Sequence, residues 1–318
     1  MRTQQTTSVV FRIFSSHLRL SLGMLLASQA HAQTSASPPF IDMHVHSTNT
    51  TPEVVRGRMD RGNLRVVFLS ALTSDLPAWT AGIDQGRFIP GLVFPCDEGR
   101  APITGRSCFG TSDQLPDIRW LRSEIEAGRI RAFGELSPQY LGMSPNDSRL
   151  DPYWQLAEEF DLPVAVHMGP GPQGAAYDSS PVPFKSPRYR MALGDPLILE
   201  EVLLRHKKLR LWVMHAGWPR LDEMIALLYA HPNVYVDVAA LSAERLVPRI
   251  SYYQYLQKLV DAGFAKRIMF GSDFPDQVEA GVTAILQADF LSEGQKGDIL
   301  CNNAARLMRF NDSICKAW

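Results

Sequence analysis

The sequence lacks a surplus of either charge. Its 318 residues carry 32 Lys and Arg against 33 Asp and Glu, for a net charge of -1. That balance gives no electrostatic case for a nucleic-acid partner or an anionic membrane surface. There is no internal repeat and no long low-complexity tract. No apolar run reaches the roughly 20 residues that a membrane-spanning helix needs. None of the four cysteines forms a C-x-x-C pair, which argues against a zinc site built from them. Gly169-Pro170-Gly171 lacks the strand-glycine spacing of a dinucleotide loop.

Acidic residues are absent before Asp42. Arg2, Arg12 and Arg19 precede a small apolar stretch, Leu20 to Ala27, and Ala30-His31-Ala32 follows. A basic start, an apolar centre and a small-x-small site describe an export signal. An organelle transit peptide is the alternative; the Leu-rich centre and the Ala-x-Ala site favour export. Residues 1–32 therefore read as a cleaved signal peptide, and 33–318 as the mature chain, periplasmic or secreted. The cysteines fit that destination. Cys96 and Cys108 bracket a Gly/Pro-rich loop, and Cys301 and Cys315 bracket the last helix. Each pair could close a short loop in an oxidising compartment. Four cysteines allow three pairings, so only proximity selects this one, and four free thiols remain the alternative.

What is present is alternation. Phe40 to His46, Leu64 to Leu69, Phe88 to Phe94, Ile130 to Glu135, Leu162 to Met168, Leu209 to His215, Asn233 to Val238 and Arg267 to Asp273 read as strands. Polar or amphipathic segments separate them. Helices are expected over 51–62, 76–85, 118–127, from Asp151-Pro152, 195–208, 221–230 and 244–262, the last interrupted at Pro248. Gly/Pro/Ser-rich stretches at 95–115 and 169–194 read as loops. Eight strands alternating with helices in one domain predict an α/β fold, the (β/α)8 TIM barrel. A doubly wound open sheet is the alternative; it would place a ligand at one switch point and not around a ring.

The polar candidates fall around a ring. Asp42-Met43-His44-Val45-His46 ends the first strand. Alternation puts His44 and His46 on one face, with Asp42, and Ile41, Met43 and Val45 on the other. Glu135, His167, His215 and Asp273 stand at the ends of later apolar runs. The C-terminal ends of barrel strands are where barrel enzymes carry their active sites. Four imidazoles and two carboxylates gathered there can hold one or two divalent ions. As isolated residues each would read as a satisfied core group or a turn cap; together at strand ends they read as a site. His206 and His231, beside Lys207 and Pro232, read as surface. The loop at 169–194 holds Tyr177, Lys185, Arg188, Tyr189 and Arg190. Arg188 and Arg190 are the candidates for binding a substrate carboxylate, with a solvated loop or a subunit contact as the alternative.

These phrases resemble the amidohydrolase superfamily. Phe40 to His46, Val213-Met214-His215-Ala216-Gly217, Phe270-Gly271-Ser272-Asp273-Phe274-Pro275 and Asn303-Ala304-Ala305-Arg306-Leu307 are similar to its amidohydrolase-related branch, over roughly residues 40 to 310. The resemblance implies a barrel in which His44, His46 and Asp273 bind metal, with His167 as a further ligand. It implies that His215 binds a second metal or polarises the substrate carbonyl. Glu135 would bridge two metals, and has no such role in single-metal members. The cofactor expected from the imidazole-rich set is one or two divalent ions, zinc first and manganese second. The expected activity is hydrolysis of an amide, ester or lactone by a metal-activated water, with Asp273 as general base. Non-oxidative decarboxylation on the same scaffold is the alternative. A non-catalytic binding barrel is disfavoured because no candidate ligand is missing. The partner is a small molecule, anionic if the two arginines bind it, and a homo-oligomer is compatible with everything above. N-terminal sequencing of the exported protein is expected to begin at Gln33; an intact Met1 on active protein would contradict the leader.

Overall fold

The computed structural model describes residues 38–81, 86–179 and 185–316. The leader with its Ala-x-Ala site, the end of the expected helix at 76–85 and the middle of the long loop lie outside them. Eight strands, β1 Phe40–His46, β2 Leu64–Ala71, β3 Phe88–Phe94, β4 Ala132–Leu136, β5 Pro163–His167, β6 Arg210–Met214, β7 Val234–Asp237 and β8 Ile268–Met269, form one sheet in sequential order. Every neighbouring pair is parallel. The last edge meets the first just beyond β8, where Met43 N donates to Phe270 O at 3.0 Å and Asp273 N to His44 O at 2.8 Å. The expected TIM barrel is therefore what forms.

Helices α1 Pro52–Arg61, α2 Leu76–Thr80, α3 Ile118–Glu126, α4 Asp151–Glu159, α5 Glu200–Arg205, α6 Leu221–Ala230, α7 Arg249–Leu259, α8 Val278–Leu286, α9 Glu293–Gly297 and α10 Asn303–Met308 follow the strands. Their ends are written in the sequence. Asp117 caps α3 by accepting from Arg119 N at 3.0 Å and Trp120 N at 2.8 Å, which satisfies donors that a helix start leaves free. Pro248 stands at the start of α7, not inside it, because a proline lacks the amide a helix interior needs. The expected helix over 195–208 is a short 3-10 turn followed by α5.

Alternate strand residues build two cores. Val67 and Leu69 pack outward with residues of the helices. Val66, Phe68, Ile89, Ala132, Ala165, Trp212 and Met269 join Ile41 and Met43 in a second cluster. Phe68 on β2 meets Trp212 on β6 edge to face, with ring centroids 4.9 Å apart. Strands four positions apart touch only across a barrel interior, so this cluster fills the lumen. Each such buried side chain contributes roughly 1.5–3 kcal/mol. Met43 in the lumen corrects the simple alternation expected for β1. The ladder to β2 shifts register between Asp42 and Val45. An irregularity there lets Met43 and His44 both turn inward, while Asp42 lies among Val45, Val55, Leu64 and Val67 on the outer side. A one-residue slip moves side chains to the other face.

Both neighbouring cysteine pairs are disulfides, Cys96–Cys108 and Cys301–Cys315. The first ties the loop after β3; the second ties the C-terminal segment that packs on the lumen cluster. Strand β8 stops at Met269 and not at Asp273. The chain after it is pressed against β1: a Cβ on Gly271 would stand 2.7 Å from His44 Cβ and 3.1 Å from Ala239 Cβ. Gly271→Ala is expected to lower unfolding stability by about 1–3 kcal/mol, the usual range for overpacking. A urea midpoint equal to wild type would contradict this account of the seam.

Candidate metal centre

The barrel brings all six expected side chains to one end. His44 Nε2 and His46 Nε2 lie 3.3 Å apart. Asp273 Oδ1 is 3.1 Å from His46 Nε2 and 3.8 Å from His44 Nε2. Glu135 uses its two oxygens on different partners. Its Oε2 faces His44 at 3.9 Å and His46 at 3.4 Å. Its Oε1 faces His167 Nδ1 at 2.5 Å and His215 Nε2 at 3.6 Å. His44, His46 and Asp273 form one set with metal-ligand proximity, and His44, Glu135 and His215 another.

Hydrogen bonds on the far side of the rings fix which nitrogen faces the centre. His215 Nδ1 is 3.1 Å from the Ala239 carbonyl, which can only accept, so Nδ1 carries a proton and Nε2 is the nitrogen that faces the centre. His167 Nε2 is 3.3 Å from the Pro170 carbonyl, which leaves Nδ1 as its inward atom. His44 Nδ1 lies 3.3 Å from Asp237 Oδ2, close enough for attraction though not aligned as a hydrogen bond. Partners of this kind orient metal-binding imidazoles and raise their basicity.

Asp237 is the residue that sequence reading missed. It is fully buried at the end of β7. It accepts from His215 N at 2.9 Å, Ala239 N at 3.1 Å and Trp212 Nε1 at 3.2 Å. The signal existed: an acid at the end of the apolar run Val234-Tyr235-Val236. Asp42, expected to share the His44 face, instead lies behind it. Its Oδ1 accepts from His44 N at 3.1 Å and Ser272 N at 2.9 Å. Burial raises the Asp42 pKa to about 6 against the opposing pull of the Ser272 and His44 hydrogen bonds.

Charge in the cluster is shared between carboxylates and imidazoles. Burial works against ionised Asp273, yet His44 and His46 outweigh it and pull its pKa down to about 2. Glu135 is likewise buried and is held well below the ordinary carboxylate range by His167, then His215 and His46. Burial opposes a charged imidazole at His215, but Glu135 and Asp273 outweigh it and lift its pKa to about 10. Two ionised carboxylates in a buried ring of imidazoles favour a cation. The donor set, four imidazole nitrogens and two carboxylates, suits divalent ions of the zinc type. Of the eight described non-glycine residues in the left-handed region, four lie at or beside these strand ends: His215 (φ 55), Ala216 (φ 49), Ala240 (φ 62) and Asp273 (φ 64). Each such conformation costs on the order of 1–3 kcal/mol and is characteristic of functional sites.

The two arginines are placed differently. Arg188 pairs with Asp97, beside Cys96, and its side chain is 48% exposed. Arg190 donates from Nη1 to the Tyr189 carbonyl at 2.8 Å. Neither contacts the histidine cluster. His206 and His231 are not surface groups. His206 Nδ1 lies 3.4 Å from Glu158 Oε2 with the side chain 12% exposed, and His231 is partly buried, because each helix end packs back against a neighbouring element.

The sequence model of a family described as amidohydrolase matches residues 41–310. No curated protein matches the sequence significantly. Several solved structures share the fold. An uncharacterized TIM-barrel protein from Bordetella bronchiseptica is 16% identical, with a TM-score of 0.58 over 85% of this chain and 98% of that one. A probable 2-pyrone-4,6-dicarboxylic acid hydrolase from Acinetobacter baumannii, with citric acid bound, is 15% identical, with a TM-score of 0.55 over 85% of this chain and 99% of that one. A 5-carboxyvanillate decarboxylase from Sphingomonas paucimobilis is 15% identical, with a TM-score of 0.55 over 86% of this chain and all 100% of that one. At these identities the likeness establishes the barrel and not the reaction. With the family's pattern running through barrel and site alike, the chain belongs to the amidohydrolase family.

Proposed function

We propose that the protein is a metal-dependent hydrolase of an amide, ester or lactone bond. The observation that carries this reading is Glu135, whose two oxygens address two different imidazole pairs, His44 with His46 and His167 with His215. A carboxylate so placed suits a bridge between two ions, zinc first and manganese second. His44, His46 and Asp273 would hold one ion and His167 and His215 the other. A bound divalent ion supplies Lewis-acid polarisation and makes water acidic near neutral pH.

The chain's own groups then have separate tasks. Asp273 is ionised, and its side chain is 13% exposed, so it can take the proton of an attacking water and deliver it to the leaving group. His215, held by Ala239 and Asp237, would offer Nε2 to the second ion or, with a single ion bound, polarise the substrate carbonyl. Asp237 positions His44. Arg188 and Arg190 are assigned to the negative charge of a small-molecule substrate, Arg188 by exchanging Asp97 for it.

Decarboxylation is the second reading, and the carboxyvanillate decarboxylase of the same fold supports it. It requires only that a carboxylate be held and a carbon protonated, which one ion serves; a bridging role for Glu135 would favour hydrolysis. The protein is further proposed to act after export, as a single domain at 33–318. The acid-free leader and the two disulfides suit an oxidising compartment.

Two substitutions separate binding from chemistry. Asp237→Ala is expected to cost about 10–100-fold in metal affinity, the usual effect of losing a partner behind a ligand. Asp273→Asn is expected to keep much of the metal, since an amide oxygen still ligates, and to lose about 10²–10⁴ in turnover with its general base gone. Elemental analysis and steady-state rates check both. Metal-free wild-type protein with full activity in chelator would overturn the reading.

A further inference from the structure

Beside the histidine cluster lies a buried hydroxyl that the reading above does not use. Tyr140 sits in the 3-10 turn Pro138–Leu141, immediately after β4 and Glu135. Its ring meets His167 edge to face, with centroids 5.5 Å apart, and lies 5.2 Å from the ring of Tyr189. The residue is 1% exposed. Its hydroxyl has no hydrogen-bond partner among the described residues.

That arrangement is costly unless something completes it. A phenylalanine would supply the same ring contacts without burying an unpaired polar group. The neighbouring chain is built around the oxygen: a Cβ on Gly171 would stand 2.2 Å from Tyr140 Oη. Gly171 N donates to Tyr189 Oη at 3.0 Å, so a second phenol borders the same spot. Burial first, then the charges of Glu135 and Asp273, hold the Tyr140 hydroxyl well above the ordinary phenol range. It stays a neutral O–H donor at any working pH, and it lies close enough to feel both carboxylates.

We propose that Tyr140 Oη is a substrate-contacting group, reserved for an acceptor oxygen that the substrate carries beside the bond under attack. The substrate class is then a carboxylate-bearing or oxo-bearing small molecule. This rests on reading the histidine cluster as an active site. Gly171 borders the hydroxyl, and only a residue without a side chain fits there.

The test uses benzoate as the carboxylate probe and benzyl alcohol as its uncharged counterpart, titrated calorimetrically into the zinc-loaded full chain. Wild type is compared with Tyr140→Phe. The variant is expected to keep its zinc and to bind benzoate about 10–100-fold more weakly, the range for one hydrogen bond to a charged group. Benzyl alcohol binding is expected to change little. Because the hydroxyl has no partner in the free protein, the variant should melt at the same temperature as wild type or higher. A merely structural tyrosine would lower it. Equal benzoate affinity in the two proteins, no benzoate binding by wild type, or a lower melting temperature in the variant would each overturn the proposal. None of these outcomes depends on turnover, so a failed hydrolase assignment with intact benzoate discrimination leaves Tyr140 in place.

Discussion

The structure depends on the seam between the first and last strands. Asp42 Oδ1 accepts the amides of both His44 and Ser272, and Asp273 N reaches His44 O. These bonds close the barrel and, in doing so, set His44, His46 and Asp273 around one point. The closeness is possible because Gly271 has no side chain to hold His44 away. A sheet left open at this edge would keep the same residues and separate them by the width of the barrel. Topology and ligand geometry are thus one constraint, carried by a handful of backbone hydrogen bonds and one buried carboxylate.

Around that point buried carboxylates and imidazoles hold one another's charge. Asp273 and Glu135 remain ionised despite burial because imidazoles surround them. Asp237 stands behind the ring, where it attracts the His44 imidazole and holds the His215 backbone amide without facing the centre. A cation completes such an arrangement, and left-handed backbone at His215 and Asp273 shows conformational energy held at the same place. The surrounding barrel supplies the rigidity: Phe68 and Trp212 lock the lumen directly beneath.

Much of this was legible in the sequence, for physical reasons. Apolar runs of strand length with a polar residue at the end mark barrel strands whose tips line a site, and that rule found His44, His46, Glu135, His167, His215 and Asp273. The same rule applied to Val234-Tyr235-Val236 would have found Asp237. Strict alternation puts Asp42 on the His44 face and does not foresee the local slip between Asp42 and Val45. The early end of β8 escaped for a similar reason: close approach of the backbone at Gly271 is a tertiary fact. Arg188 read as free to meet substrate, yet it is engaged by Asp97, a residue that the Cys96–Cys108 disulfide holds near the rim. Tyr140 carried no pattern at all, since a tyrosine in a short turn reveals its unpaired hydroxyl only when the neighbouring loop is in place.

Hydrolases and decarboxylases share this barrel, so the fold leaves the reaction class to the site. The central claim is that Asp273 directs a water at the substrate. Turnover by wild-type enzyme in ¹⁸O-labelled water tests it most directly. The account predicts label in the product acid; carbon dioxide release with no label in the remaining product would contradict it.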